Sequence, residues 1–384
     1  MKAVVDDKIP FIKGVLEPFF EVKYLPGKEI RREDVLDADA LIVRTRTKCD
    51  ATLLENTPVQ FIGTATIGFD HIDTHWCAQQ GIRWENAPGC NSGSVAQYIT
   101  AALFELARQK GFDLKDKILG IIGVGHVGRK VEHLARAIGM RVLLNDPPRA
   151  RSEGEEKFTG LEELLNRSDI VTLHVPLNRE GRDRTLNLVN EEFLKKLKPG
   201  AILINSSRGE VVNEQDLINR IRKSSETGDK TSPDIVLDVW QNEPDINLEL
   251  LSLALIATPH IAGYSRDGKL NGTRMVVEKL ADHFGLDRNK LQVAGLQLQA
   301  DRYLLPGSQI EKGLGTVIKA TYDIMADDRR LRKSPGTFEE QRGNYPVRRE
   351  FGAYRIDPEY QGELKNKLLE MGFERAEKRA EKRV

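Results

Sequence analysis

The sequence predicts an α/β protein whose sheets are parallel, open and covered by helices on both faces. Three observations predict it. Short apolar runs alternate with amphipathic stretches along most of the chain, the grammar of strand–helix–strand units. One such run, Lys117–Ile122, leads straight into Gly123-x-Gly125-x-x-Gly128, and a second, Arg141–Asn145, ends at Asp146. Finally, 384 residues are too many for one ordinary core, so two or three domains are expected.

Taken in order, Ala3–Val5, Leu41–Val43 and Phe61–Gly63 read as strands, with Pro10–Phe20 as a helix between the first two. Beyond the glycine turn, strands are expected at Val142–Leu144, Ile170–Leu173, Ala201–Ile204 and Ile235–Leu237. Amphipathic segments such as Leu161–Asn166 and Glu214–Arg222 separate them. Thr258-Pro259-His260 precedes a helical stretch from Gly268 to about Phe284. The simplest organisation returns that helix to the first domain, so the partition is 1–95 with 258–287, then 96–257, then 288–384. Leu286–Lys290 reads as a linker, and the tail beyond it lacks glycine-rich turns, which predicts a separate small domain. Glu363–Arg383 reads as a charged helix with a solvated face.

Composition excludes several classes. Lys plus Arg and Asp plus Glu are 58 each, so the net charge of zero offers no attraction to nucleic acid or to an anionic membrane. Cys49, Cys77 and Cys90 are odd in number and lack metal-ligand spacing, pointing to thiols in a reducing compartment, not to disulfides or a metal. No apolar stretch approaches the roughly twenty residues that span a bilayer. The amino terminus lacks a signal-peptide apolar core, so a cytoplasmic protein is expected.

The glycine turn carries the first chemistry. Gly123 permits the tight turn, Gly125 lets backbone N–H groups approach a pyrophosphate, and Gly128 lets the helix lie close to the strand. Asp146 is placed to accept hydrogen bonds from an adenosine ribose and to repel a 2′-phosphate, which favours NAD over NADP, although Arg149 is near. Three further polar residues follow apolar runs, where ligands bind in open α/β sheets: Arg208, Glu243 and His260. A guanidinium presents a planar fork to a carboxylate. An imidazole, with an ordinary pKa of about 6.5, suits removal of a proton from a secondary alcohol. A neighbouring carboxylate fixes its ring and favours its protonated form. Together they read as a hydride-transfer site.

These segments resemble the D-2-hydroxyacid dehydrogenase family. The likeness covers the glycine turn, Asn205–Gly209, Asp238–Pro244 and Thr258–Gly263. Narrower marks point to a branch acting on a phosphorylated acid: Gly63–Asp73, Ala87–Asn91, Asp146–Ala150 and His260–Lys269. Tail segments around Tyr322-Asp323, Leu331–Lys333, Asn344-Tyr345 and Arg348–Glu350 resemble an extra dimerisation domain. The resemblance implies a flavodoxin-like substrate domain, a Rossmann NAD domain and a small α+β C-terminal dimerisation domain, assembled as a homodimer. It makes Arg208 the carboxylate clamp, His260 the proton acceptor and Glu243 its partner. NAD would be met by Gly123, Gly125, His126, Val127, Gly128, Asp146, Val175, Ser206, Asp238 and Gly263. Asp238 would contact the nicotinamide amide, and Val175 lacks the hydroxyl some relatives carry. Substrate contacts would fall on Thr45, Thr66 and Tyr264. Of Arg44 and Arg46, on one side of an extended segment, at least one is expected to take the phosphate, with Arg348 and Arg349 in reserve if the C-terminal domain folds over the cleft. Other readings are a relative acting on glycerate or 3-phosphoglycerate, or an NAD-sensing binding protein.

Overall fold

The fold comes from a computed structural model, which describes residues 1–228, 231–291 and 302–376. The chain divides into two compact units, Met1–Asn91 with Ser265–Arg302, and Ser92–Tyr264 with Tyr303–Val384.

In the first unit five parallel strands, β1 (Lys2–Asp6), β2 (Glu21–Leu25), β3 (Ala40–Val43), β4 (Phe61–Thr64) and β5 (Arg83–Glu85), lie in the order β2-β1-β3-β4-β5. Every residue of β3 and β4 is buried, as apolar strands covered on both faces must be. The helix Arg266–Phe284 lies on β4. A Cβ on Gly63 would overlap the Val276 side chain, so glycine there permits the close approach. Val43 pairs with Thr64, so the segments leaving β3 and β4 emerge side by side at the carboxyl edge.

The second unit holds six parallel strands: β6 (Ile118–Ile122), β7 (Arg141–Asn145), β8 (Ile170–Leu173), β9 (Ile202–Asn205), β10 (Asp234–Leu237) and β11 (Ile256–Ala257). Their order is β11-β10-β9-β8-β6-β7, so β6 has β7 on one side and β8 on the other. The carboxyl end of β6 is therefore a topological switch point, and Gly123–Gly128 occupies it. Three short parallel strands, β12 (Tyr303–Leu305), β13 (Tyr354–Ile356) and β14 (Glu374–Arg375), form a third sheet in the same unit. Their surroundings share a core with the rest: Leu305, Val317, Ile318 and Phe373 cluster with Ala102, Leu106 and Leu134.

Three sequence expectations fail. Residues 10–20 form turns and no helix, because Phe11 and Gly14 take positive φ (64° and 84°) and break the helical path. The helix expected over 363–383 ends at Glu370, where Gly372 (φ 95°) turns the chain into β14; positions beyond 376 lie outside the described residues. Arg44 to Thr47 is not extended. The Thr47 N–H reaches back to the Arg44 carbonyl (3.4 Å) and its buried hydroxyl donates to Gly27 O (2.8 Å), so alternation does not place Arg44 and Arg46 on one face. Among the described residues no helix is long and apolar enough to cross a membrane.

Candidate active site

The glycine turn is built as its spacing requires. Gly123 sits at φ 88°, and a Cβ there would come within 2.6 Å of the His174 carbonyl oxygen. A Cβ on Gly128 would overlap the Gly123 carbonyl, whereas Gly125 faces open space within 4 Å. Gly125 caps the helix His126–Ile138, so its N-terminal turn, with His126 exposed and Val127 half-buried, presents free N–H groups beside that space. The Val175 backbone N–H lies against Gly123, while its side chain packs into the core. The Ser206 hydroxyl, just past β9, is buried without a hydrogen-bond partner.

Asp146 ends β7 and caps the helix Pro147–Glu153. Its carboxylate accepts from Arg149 N–H (3.1 Å) and Val124 N–H (2.8 Å), leaving lone pairs for other donors. Each nitrogen of the Arg149 guanidinium donates within the protein: Nε and Nη2 to Glu153 (2.7 and 2.6 Å), Nη1 to the Val124 carbonyl (2.5 Å), and the guanidinium lies over Phe158. Three of its five N–H groups are thereby taken. These features fit NAD.

The loops past β9 and β10 touch, and those past β10 and β11 are joined by a side-chain contact. Asn205 closes the turn before Arg208, accepting from the Ser207 N–H and hydroxyl (3.0 and 2.8 Å) and donating to the Arg208 carbonyl (2.9 Å). The Arg208 guanidinium is half-buried and donates to the Ser207 carbonyl (2.8 Å), leaving most of its fork for a ligand. Gly209 lets this turn lie on the next loop: a Cβ there would overlap the Trp240 carbonyl. In that loop Glu243 Oε1 accepts from the Trp240 N–H (3.0 Å), and Oε2 lies 2.7 Å from His260 Nδ1. The pair is 18% and 32% exposed, sheltered but reachable. Burial pushes the Glu243 carboxyl up, but the hydrogen bond and charge of His260 outweigh it and hold the group below its ordinary value. With Nδ1 bonded to a carboxylate, Nε2 is the ring nitrogen left to take a proton.

Asp238 works beneath this pair. Fully buried, it accepts from the Thr258 hydroxyl (2.6 Å) and from the Ile261 and Ala262 N–H groups (2.8 and 2.9 Å), while its own carbonyl receives the His260 N–H (2.7 Å). Burial drives its carboxyl pKa up against these bonds. What the structure shows for Asp238 is a strut holding the His260 turn. Gly263 and Tyr264 follow, half-buried, with the Tyr264 N–H on the Ile261 carbonyl (2.8 Å).

Of the remaining expected residues, Arg44, Thr45, Arg46 and Thr66 belong to the first unit, and Arg348 and Arg349 to the second. Thr45 and Arg46 are exposed just past β3, and Arg44 Nη1 reaches the Lys8 carbonyl (3.4 Å). Thr66, past β4, donates to the Gly68 carbonyl (2.9 Å) and lies 2.8 Å from the Thr64 hydroxyl, so it offers a ligand only an acceptor lone pair. Arg348 and Arg349 are buried, 5% and 4% exposed, and Arg348 donates to the Ala262 carbonyl (2.5 Å) beneath the His260 turn. Neither is open to a phosphate.

Residues 94–262 match the family model described as D-isomer specific 2-hydroxyacid dehydrogenase, NAD binding domain, and residues 301–372 match a domain of unknown function (DUF3410). A Bacteroides fragilis protein named erythronate-4-phosphate dehydrogenase is 47% identical over 362 residues, covering 93% of this chain and 99% of that protein. The chain belongs to the D-isomer specific 2-hydroxyacid dehydrogenase family. A relative of the same name from Proteus mirabilis is 42% identical over 360 residues, 93% of this chain and 94% of its own. An NAD+-bound 3-phosphoglycerate dehydrogenase from Entamoeba histolytica superposes with TM-score 0.61 at 30% identity, over 74% of this chain and 95% of that one.

As a 2-hydroxyacid dehydrogenase the chain is an oxidoreductase carrying the NAD-binding domain of its family, and the glycine turn, the unpartnered Ser206 hydroxyl and the occupied Arg149 are in keeping with that cofactor. Sequence reasoning missed the supports. Gly209 stood within a quoted motif, but nothing local signalled its contact with Trp240. Arg342 of the helix Phe338–Gly343, whose guanidinium lies over the Tyr264 ring, gave no signal at all in a run of charges.

Proposed function

We propose that this dehydrogenase oxidises 4-phospho-D-erythronate to (R)-3-hydroxy-2-oxo-4-phosphooxybutanoate with NAD, a step toward pyridoxal 5′-phosphate. The observation that carries the reading is the 2.7 Å contact of His260 Nδ1 with Glu243, next to a loop that presents Arg208. Arg208 holds the substrate carboxylate through its planar fork. His260 Nε2 takes the C2 hydroxyl proton, and Glu243 stabilises the imidazolium that results. NAD, when bound, supplies the acceptor for the hydride leaving C2.

Gly123, Gly125, His126, Val127, Gly128, Ser206 and Gly263 meet the cofactor, Val175 through its backbone. Asp146 binds the adenosine ribose, and Asp238 reaches the nicotinamide amide with the lone pairs its three donors leave. Thr45, Thr66 and Tyr264 contact the substrate, and Arg44 and Arg46 are candidates for its phosphate. The names of the relatives support the substrate, being attached to proteins that match nearly the whole chain. We assign residues 1–95 with 258–287 to substrate binding and 96–257 to NAD. The segment 288–384 we assign to dimerisation of a cytoplasmic enzyme, checked by light scattering at twice the mass of one chain.

The site assignment is tested with His260→Asn. Its kcat on 4-phospho-D-erythronate should fall about 10²–10⁴-fold, the usual scale for loss of a general base, with NAD affinity kept. Near-normal kcat would move the proton transfer to another residue.

A further inference from the structure

Arg342 places a cation beside the catalytic pair from a part of the chain that lies outside the NAD-binding domain match. It sits on the helix Phe338–Gly343, its guanidinium carbon 5.8 Å from the centre of the Tyr264 ring and 5.9 Å from that of Phe338. Tyr264 is also packed edge-on against Tyr345 (5.8 Å), so ring and guanidinium are held from two sides. Arg342 Nη1 donates to Glu339 (2.9 Å), and Nε is buried with no partner. Its charge is felt at Glu243, which His260 already engages. The side chain is 21% exposed, unlike the sealed Arg348 and Arg349.

The Nε–H is sealed and a hydrogen bond joins the guanidinium to Tyr264, but its partly open Nη groups keep N–H donors that Glu339 and Tyr264 do not use. A phosphate is the matching partner, since its oxygens accept the fork's parallel N–H bonds and its charge exceeds that of Glu339. We infer that Arg342, with Tyr264, binds the phosphate of the substrate, leaving Arg208 to the carboxylate. This rests on the reading above that the substrate is a phosphorylated 2-hydroxy acid. The relatives named for that substrate align over 93% of this chain, against 74% for the 3-phosphoglycerate enzyme. Arg342 lies in residues 301–372, which match a domain model separate from that of the NAD-binding domain.

The test compares wild type, Arg342→Gln and Arg342→Lys on 4-phospho-D-erythronate and on unphosphorylated D-erythronate. It also titrates inorganic phosphate into the NAD-loaded proteins by calorimetry. For Arg342→Gln, KM for the phosphorylated acid should rise about 10- to 100-fold, the scale of one charge-assisted hydrogen bond, with kcat held within about threefold. Its kcat/KM on D-erythronate should fall far less, by at most about threefold, and phosphate affinity should fall about 10- to 100-fold. Arg342→Lys, which keeps the charge but not the fork, should lie between. Equal losses on both acids would make Arg342 a prop for Tyr264 or Glu243 and overturn the assignment, as would unchanged KM and phosphate affinity. If wild type ignores 4-phospho-D-erythronate, the functional reading fails separately. The calorimetry then still decides Arg342: weaker phosphate binding in Arg342→Gln supports it, and equal or absent binding in both proteins overturns it.

Discussion

His260 holds φ 54°, a left-handed conformation that costs a non-glycine residue of order 1–3 kcal/mol. Its anchors offset that cost: the N–H on the Asp238 carbonyl, Nδ1 on Glu243, and the following N–H groups on the Asp238 carboxylate. The ring is thus aimed before substrate arrives. Glu243 is the anchor whose charge can be read by pH. Its carboxyl titrates below the ordinary 4.5, so the stability it contributes is complete above that value and is lost as pH falls through the lowered one. Glu243→Gln should remove this dependence. The difference in Tm between wild type and variant should be constant at neutral pH and shrink below about pH 4. A difference that is flat into acid would show that Glu243 carries no charge-dependent role.

At the level of elements, the site is a set of strand ends brought level by a parallel sheet, and its tolerance is set where two loops touch. Gly209 against Trp240 is that place. Gly209→Ala forces the Arg208 turn away from the Glu243 loop. Overpacking of this kind typically costs about 1–3 kcal/mol, so urea unfolding should shift accordingly and kcat/KM should fall with it. Wild-type stability and activity in the variant would mean that the loops part freely. The strand ends themselves were legible, because β3, β4, β8 and β9 are buried on both faces and read as unbroken apolar runs. The half-exposed β2 and β5 were not, since Glu21-Val22-Lys23-Tyr24-Leu25 and Arg83-Trp84-Glu85 mix charge with apolar residues. The false helix over 10–20 has the converse cause, an amphipathic pattern overridden by positive φ at Phe11 and Gly14.

Across the whole molecule, Arg208, Glu243 and His260 could be read from sequence because each follows an apolar strand, a local signal. Asp238 as strut and Arg342 beside Tyr264 could not, because both depend on packing between segments far apart in the chain. The tail is where this matters most, since its residues share a core with the NAD-side helices and carry a cation to the catalytic loop. On the proposed assignment of Arg342, the tail takes part in selecting the substrate. The decisive measurement is NADH absorbance on adding 4-phospho-D-erythronate to the purified protein with NAD, beside D-glycerate and 3-phosphoglycerate. The expected result is rapid NADH formation with the first acid and a kcat/KM at least about tenfold lower, a 1.4 kcal/mol preference, with either control. No NADH from 4-phospho-D-erythronate, or faster turnover of a control, would contradict it.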